Sequence, residues 1–116
     1  MPPPHIDSYS FGAIVINEQH YAADLIILPD RVIAGWWRQE GHALRTEDLE
    51  SVFDSQPELL IVGRGAEGKM LVDTETRRAL AAAGIQLMAL PTEEACQMYN
   101  ASCVQRITAA ALHLTC

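Results

Sequence analysis

The fold class is set by Leu59-Leu60-Ile61-Val62-Gly63, an uninterrupted apolar run that opens after Pro57 and closes at a glycine. A strand with one face in water alternates apolar and polar residues, whereas a parallel strand covered on both faces is apolar throughout. The run therefore predicts a buried strand with other elements packed on both of its sides.

Helices and strands alternate around this run. Thr46 is expected to cap the first helix, which carries an apolar stripe and ends at Pro57. Asp73 or Thr74 caps the second, and Gly84 follows its end. The predicted elements, in order, are helix 46–56, strand 59–62, helix 74–83, strand 85–90 and helix 92–103. This order is typical of crossover connections on a partly parallel sheet.

The segments outside this region predict mostly strands. Residues 1–10 are interpreted as an irregular lead-in, because three prolines cannot donate to a sheet. Apolar runs at 13–16, 24–28 and 32–37, separated by turns at Asn17-Glu18 and Pro29-Asp30, predict an antiparallel meander. The segment from about residue 105 has an alanine run that favours helix and apolar flanks that favour strand. We predict a strand.

Composition limits the possible functions. The 116 residues suit one domain, predicted to span 1–116. The net charge is −7, with 8 basic residues scattered among 15 acidic ones, which argues against nucleic acid and anionic membranes as partners. A disulfide framework is not expected, because three cysteines are few and an odd number cannot all pair with one another. With no signal or transit peptide at the start, a cytoplasmic, bacterial-type location is expected.

The glycine loop, Gly63-Arg64-Gly65-Ala66-Glu67-Gly68, matches the pattern of a dinucleotide-binding turn. That turn works only where the helix opens on the glycines, and here Lys69-Met70-Leu71-Val72 intervenes before the next helix cap. We therefore predict a tight turn and no nucleotide cofactor. A nest for a small anion, formed by the loop amides with Arg64 and Lys69, stays open.

A second candidate site is Trp36-Trp37-Arg38 with His42. Adjacent strand residues point to opposite faces, so both indoles are buried only if the sheet is covered twice. If one face is open, an indole beside Arg38 and His42 forms the aromatic and arginine patch that is frequent in binding hot spots. The alternative interpretation is core packing around a structural arginine.

The remaining candidates point to structure rather than chemistry. His113 and Cys116 would have to share a metal from opposite faces of a strand, and four ligands are not evident, so no metal is predicted. Asn100, near a helix end, is expected to have a structural role, either as a left-handed helix cap or through a side-chain bond to the backbone. No nucleophile triad, carboxylate pair or phosphate-binding loop occurs, so no catalytic residue is assigned.

Several motifs together resemble one family. They are Tyr9-x-Phe11-Gly12 with Ile14 and Ile16, Trp37-Arg38-x-x-Gly41-His42, Asp48-Leu49, Pro57 to Gly65, Gly84-Ile85, Pro91-Thr92, Ala95, Tyr99-Asn100 and Ala111 to Cys116. The chain is similar to the domain of unknown function number 498 family, which includes the mitochondrial respiratory complex I assembly factor 3 and an adipogenesis-associated human protein.

The resemblance implies an α/β fold of three layers, with a central mixed sheet, an N-terminal antiparallel β layer and about three helices. It also implies that the last strand is antiparallel to its neighbours, and it supplies no catalytic residues. Mitochondrial members look like assembly or chaperone factors.

Two functional hypotheses follow. The first is a non-enzymatic protein-interaction or assembly module that binds an unidentified protein through Trp36, Trp37, Arg38 and His42 and through the loop residues Gly63, Arg64, Gly65 and Lys69. The second is a binder of, or enzyme for, an anionic metabolite, which requires Arg38, His42 and Arg64 to converge. A homodimer is plausible if a sheet edge is exposed.

Overall fold

The computed structural model describes residues 2–115. Within these residues, ten strands and three α-helices follow one another. The strands are β1 (Ile6–Ser10), β2 (Ala13–Ile16), β3 (Gln19–Tyr21), β4 (Leu25–Ile27), β5 (Val32–Ala34), β6 (Ala43–Leu44), β7 (Leu59–Arg64), β8 (Leu71–Val72), β9 (Gln86–Leu90) and β10 (Thr108–His113). The helices are α1 (Glu50–Ser55), α2 (Thr74–Ala82) and α3 (Thr92–Ser102).

The central sheet has five strands in the order β5-β4-β10-β7-β9. β7 runs parallel to both β10 and β9, whereas β4 is antiparallel to β10 and to β5, so the sheet is mixed as predicted. All six residues of β10 are buried, which resolves the ambiguous last segment as a strand. The expectation that this strand is antiparallel to its neighbours is wrong for β7, because α3 returns the chain so that β10 runs in the same direction as β7.

One face of this sheet is covered by α3 and by a second sheet of order β1-β2-β3. Ile6, Ile14 and Ile16 of the second sheet share a core with Leu59 and Ile61 of β7, and the same core includes Ala95, Tyr99 and Leu112. The predicted N-terminal antiparallel layer is therefore confirmed, and with it the α/β class.

The prediction that residues 1–10 are irregular is wrong for residues 6–10. The prolines restrict only residues 2–4, and β1 pairs with β2 directly after them. Asn100 of α3 holds the start of β1, because its side-chain oxygen accepts from the N–H of Ile6 and its side-chain nitrogen donates to the carbonyl of the same residue. The backbone role expected for Asn100 is thus confirmed.

The opposite face of the central sheet is covered by α1, α2 and the short parallel pair β6-β8. Leu49, Val52 and Leu80 pack there against Leu60 and Val62. The apolar stripe predicted for the first helix is present, but a 3₁₀ turn (Thr46–Leu49) precedes α1. Arg45 is the N-cap of that turn, and Thr46, the predicted cap, is its first residue. The second cap is confirmed, since Asp73 accepts a hydrogen bond from the N–H of Thr76.

Two expectations about the first half need correction. The strand predicted over 32–37 ends at Ala34, because Gly35 adopts a positive φ of 70° that interrupts the regular strand, although the N–H of Trp36 still donates to the carbonyl of Asp24. The single meander is in fact two units, with β1–β3 in their own sheet and the β4–β5 hairpin in the central sheet. No helix within residues 2–115 has both the length and the apolar character to cross a membrane.

Gly63 sits where β7 approaches the start of α3. A Cβ at this position would lie 2.9 Å from the Leu112 side chain, 2.9 Å from Thr92 Oγ1 and 3.3 Å from Thr92 Cα. Two of these atoms belong to a residue whose hydroxyl is already fixed by hydrogen bonds to Gly65 and His113. Gly63 is therefore required because the neighbouring atoms leave no room for a side chain.

We expect Gly63→Ala to destabilise the fold by about 1–3 kcal/mol, because the extra methyl overpacks a rigid contact. Thermal unfolding followed by circular dichroism measures the effect. Gly41→Ala is the matched control, since a Cβ there meets nothing within 4 Å. Equal melting temperatures for the two variants would contradict the spatial argument.

Candidate functional site

A row of ionisable side chains crosses the central sheet where β7 and β10 end. His113 is the register partner of Arg64 on the adjacent parallel strand. Asp24 precedes β4, whose Leu25 pairs with Leu112, so it lies on the other side of His113. Side chains alternate between faces along a strand, which places all three on the face covered by α1 and α2. The C-terminal ends of parallel strands are the usual place for ligand sites in such sheets.

Asp24 is the centre of this row. One carboxylate oxygen lies 2.7 Å from His113 Nδ1 and accepts from Arg38 Nη1 at 2.9 Å, and the other accepts from the N–H of Leu114 at 2.8 Å. Burial of the carboxylate opposes its ionisation, but the hydrogen bonds from its partners outweigh this and hold the pKa of Asp24 below its ordinary value of 3.8.

Arg38 enters the row from the segment after β5 and is 9% exposed. Its guanidinium pairs with Asp24, donates to the carbonyl of Gly41 at 3.2 Å and lies 4.7 Å from the centre of the Trp36 ring. Trp36 is itself fixed, because its indole N–H donates to the carbonyl of Asp48 at 2.9 Å. Arg38 therefore holds the 36–42 segment on the end of the sheet, and its charge is neutralised inside the protein.

His113 shares one ring nitrogen between two partners. Arg38 Nη2 lies 3.1 Å from Nδ1 and the Asp24 carboxylate only 2.7 Å from it. One nitrogen cannot accept from the arginine and donate to the carboxylate together, so the shorter contact assigns the proton to Nδ1. Nε2 has no hydrogen-bond partner within residues 2–115, and it is not among their fully buried unpartnered atoms.

A histidine oriented by a carboxylate, with Nε2 unpartnered, has part of the geometry of a general base. A nucleophile would have to lie within hydrogen-bond reach of that nitrogen, and the part of the chain that the structure describes places none there. Thr92 Oγ1 is occupied, since it donates to the carbonyl of His113 at 2.6 Å. Burial, followed by the nearby Glu93 charge, raises the pKa of the Cys96 thiol to about 12, so it stays protonated.

The glycine loop is a tight turn, with positive φ at Gly65 and Gly68. It leads into β8 instead of opening a helix. Most of its amides are used within the chain, since those of Gly65, Ala66 and Gly68 donate to protein oxygens, as does that of Met70 just after the loop. These four groups cannot cradle an anion, and Gly63 is buried within β7.

Arg64 stands apart from this internal pairing. Its Nε donates to the carbonyl of Met70 at 2.7 Å, which fixes the side chain. The ion pairs formed among residues 2–115 do not include it, and it is only half-buried. Lys69, in contrast, pairs with Glu67 at 3.4 Å in solvent.

Exposed side chains adjoin this row along the chain. Trp37 directly precedes Arg38 and is 78% exposed, and Leu71 follows Met70 and is 61% exposed. The backbone N–H of Leu71 donates to the carbonyl of the exposed His42 at 2.9 Å, which ties the two segments together. We call Trp37, His42, Arg64 and Leu71 the strand-end surface.

The structure thus brings together most of the residues predicted from the sequence. Trp36 and Arg38 form the support, and Trp37, His42 and Arg64 lie on the surface. Asp24, which holds the cluster together, was not predicted. Within residues 2–115 no three histidine, cysteine or acidic side chains are grouped as metal ligands. Cys116, considered with His113, lies outside the described residues.

We expect Asp24→Asn to lower the free energy of unfolding by about 3 kcal/mol near neutral pH, because it leaves the Arg38 guanidinium buried without its carboxylate. The pKa of Asp24 is lower in the folded state than in the unfolded chain, so its stabilisation is present above the ordinary pKa. It is lost as pH falls through the folded-state value. The difference in melting temperature between wild type and variant should therefore narrow below about pH 4.

Asp30→Asn is the matched control. It removes a carboxylate from an exposed ion pair with Arg31 and should change stability by less than about 0.5 kcal/mol. Melting temperatures measured from pH 7 to pH 3 compare the two variants. A constant difference between wild type and Asp24→Asn at every pH would mean that the carboxylate charge contributes nothing.

Comparison with known structures agrees with this architecture. An outer membrane protein from Bartonella henselae superposes with a TM-score of 0.85 at 23% identity, over 98% of this chain and 97% of that one. The Rpa2829 protein from Rhodopseudomonas palustris superposes with a TM-score of 0.77 at 30% identity, over 97% of this chain and 87% of that one. A Mth938-like domain from Bordetella pertussis superposes with a TM-score of 0.79 at 21% identity, over 96% of this chain and 85% of that one.

The family assignment rests on the sequence match as well as on the fold. The model of a protein family of unknown function matches residues 6–113, which include every strand and helix described above. This chain therefore belongs to the DUF498/DUF598 family of proteins of unknown function.

Proposed function

We propose that the chain is a protein-interaction module, and that the strand-end surface binds a partner segment carrying both an apolar side chain and a carboxylate. The observation that carries the proposal is the placement of Trp37. A large aromatic side chain, 78% exposed, follows one anchored residue and precedes another.

This anchoring supports binding because it reduces the entropy lost on association. Trp36 is fixed by its indole hydrogen bond and Arg38 by its ion pair, so the backbone at Trp37 is already ordered before a partner arrives. Preorganised aromatic residues are characteristic of binding hot spots. Leu71 extends the apolar area on the neighbouring segment.

The charge of the surface indicates the chemistry of the partner. Of the two arginines, Arg38 pairs with Asp24, whereas Arg64 lies on the other side of His113 and forms no ion pair within residues 2–115. The guanidinium of Arg64 keeps its Nη groups for a partner, and a carboxylate can accept from two such donors. In a chain of net charge −7, this is a local site for an acidic group.

The alternative, a binder of an anionic metabolite, is favoured by one observation. Arg64 lies next to His113 on the same sheet face. Its Nε donates to the carbonyl of Met70, and the next residue, Leu71, is hydrogen-bonded to the backbone of His42. The metabolite-binding alternative is weakened because Asp24 neutralises the charge of Arg38 and because most amides of the glycine loop already donate to protein oxygens. Both functions require Arg64, but only the interaction module requires Trp37.

The proposal is tested with a photo-crosslinking amino acid at position 37, and separately at position 104, in cells of the source organism. Val104 is 76% exposed but follows α3, at the opposite end of β10, so it is a matched control. A partner crosslinked only from position 37 should bind Trp37→Ala at least about 30-fold more weakly, the loss of one hot-spot residue. Val104→Ala should bind it as the wild type does.

Arg64→Ala distinguishes the two functions. In the interaction module it should weaken the same partner about tenfold, with reduced salt dependence, because one charge-assisted contact is lost. A thermal-shift screen against anionic metabolites runs beside it. A stabilising metabolite whose effect vanishes in Arg64→Ala but survives in Trp37→Ala would replace the proposed function by the alternative. Identical crosslinks from positions 37 and 104 would refute the interaction surface.

A further inference from the structure

β9 ends the central sheet, and its outer edge has no neighbouring strand within residues 2–115. The N–H of Gln86 donates to the carbonyl of Glu58, towards β7. Successive residues of a strand direct their backbone groups to alternate sides, so Leu87 and Ala89 present theirs outward. Natural sheets protect such edges with charged residues, prolines or short strands. β9 has five residues and none of these devices, whereas the opposite edge, β5, has only three residues.

An apolar groove runs beside this edge, between β9 and α3. Its volume is about 440 Å³, and it is lined by Met88, Leu90, Glu94, Gln97, Met98 and Ala101. Met88 and Leu90 face α3, and Gln86 shares their face because side chains on a strand repeat every second residue. The free backbone edge and the apolar groove are therefore contiguous.

We propose that this edge is a homodimer interface, in which β9 of two copies pair antiparallel about a two-fold axis at Met88. This register places Leu87 of each copy opposite Ala89 of the other. Both residues direct their N–H and carbonyl groups outward, so the two pairs exchange four backbone hydrogen bonds. The two central sheets join into one sheet of ten strands. The residues that line the groove of one copy then cover the groove of the other.

Charge complementarity argues for a second copy as the occupant. At the start of β9, Arg106 donates to the side chain of Gln86 at 2.8 Å. At the other end, Glu94 lines the groove beside Leu90. An antiparallel two-fold arrangement sets Gln86 of one copy opposite Leu90 of the other, on the same sheet face. Each arginine then faces a glutamate across the axis, twice per dimer.

The register is tested by disulfide formation in a background where Cys103 and Cys116 are serine. Two residues facing each other on the axis as a non-hydrogen-bonded pair have Cα atoms about 4.5 Å apart, within disulfide range. Met88→Cys should therefore crosslink to a covalent dimer under mild oxidation. Leu90→Cys is the control, because its two copies would be about 13 Å apart, and it should stay monomeric on a non-reducing gel.

The interface itself is tested by sedimentation of the full chain, which should show a particle of twice the chain mass of 12.8 kDa. Glu94→Arg and Arg106→Glu, both at exposed positions, should each weaken the dimer at least about tenfold through like-charge contacts. The double variant should restore it. Glu93→Arg, the same charge change one residue away, lines a different groove beside Tyr9 and should leave the dimer intact.

A monomer from micromolar to submillimolar concentration would overturn the inference. A dimer that ignores both single charge reversals, or that crosslinks from position 90 as readily as from position 88, would also overturn it. The dimer does not depend on the strand-end surface, so Trp37→Ala should leave the sedimentation unchanged. Failure here and failure of the proposed function are therefore separate results.

Discussion

The bonds made by the carboxylate of Asp24 hold together parts of the chain that are far apart in sequence. It joins the start of β4, the segment after β5 and the end of β10 through Arg38, His113 and the N–H of Leu114. A buried ion pair costs desolvation energy, and it persists where it fixes a particular arrangement. Here that arrangement is the seating of the 36–42 segment on the sheet. Trp37 reaches solvent from a fixed backbone only because the residues on either side of it are held.

The order of layers was predictable because both faces of the central strands are apolar. Leu59-Leu60-Ile61-Val62 could be assigned to a doubly covered strand, and Asp73 to a helix cap, from local chemistry alone. Residues 6–10 were missed although β1 pairs with the neighbouring β2, and the amide of Asn100 that holds the start of β1 is distant in sequence. The direction of β10 relative to β7 is likewise a tertiary property, which no local pattern contains.

The candidate site was half predictable for the same reason. Trp36, Trp37, Arg38 and Arg64 stand out in the sequence by type, whereas Asp24 looks like an ordinary polar residue before an apolar run. A signal was nevertheless present, since His113 lies between two leucines in a strand with both faces covered. A titratable side chain in such a place needs a buried partner, and a carboxylate at the start of another apolar run was a reasonable candidate.

The central position of β10 has a consequence for the synthesis of the protein. Residues 108–113 leave the ribosome after the other strands of residues 2–115, yet they form the middle of the sheet, between β4 and β7. Until they emerge, β4 and β7 cannot be bridged, and their apolar residues stay uncovered in the nascent chain. The fold must then close by contacts between residues far apart in sequence, which is slow and exposes aggregation-prone edges. Until β10 has been synthesised, the nascent chain therefore exposes the edges of β4 and β7 to pairing with other chains.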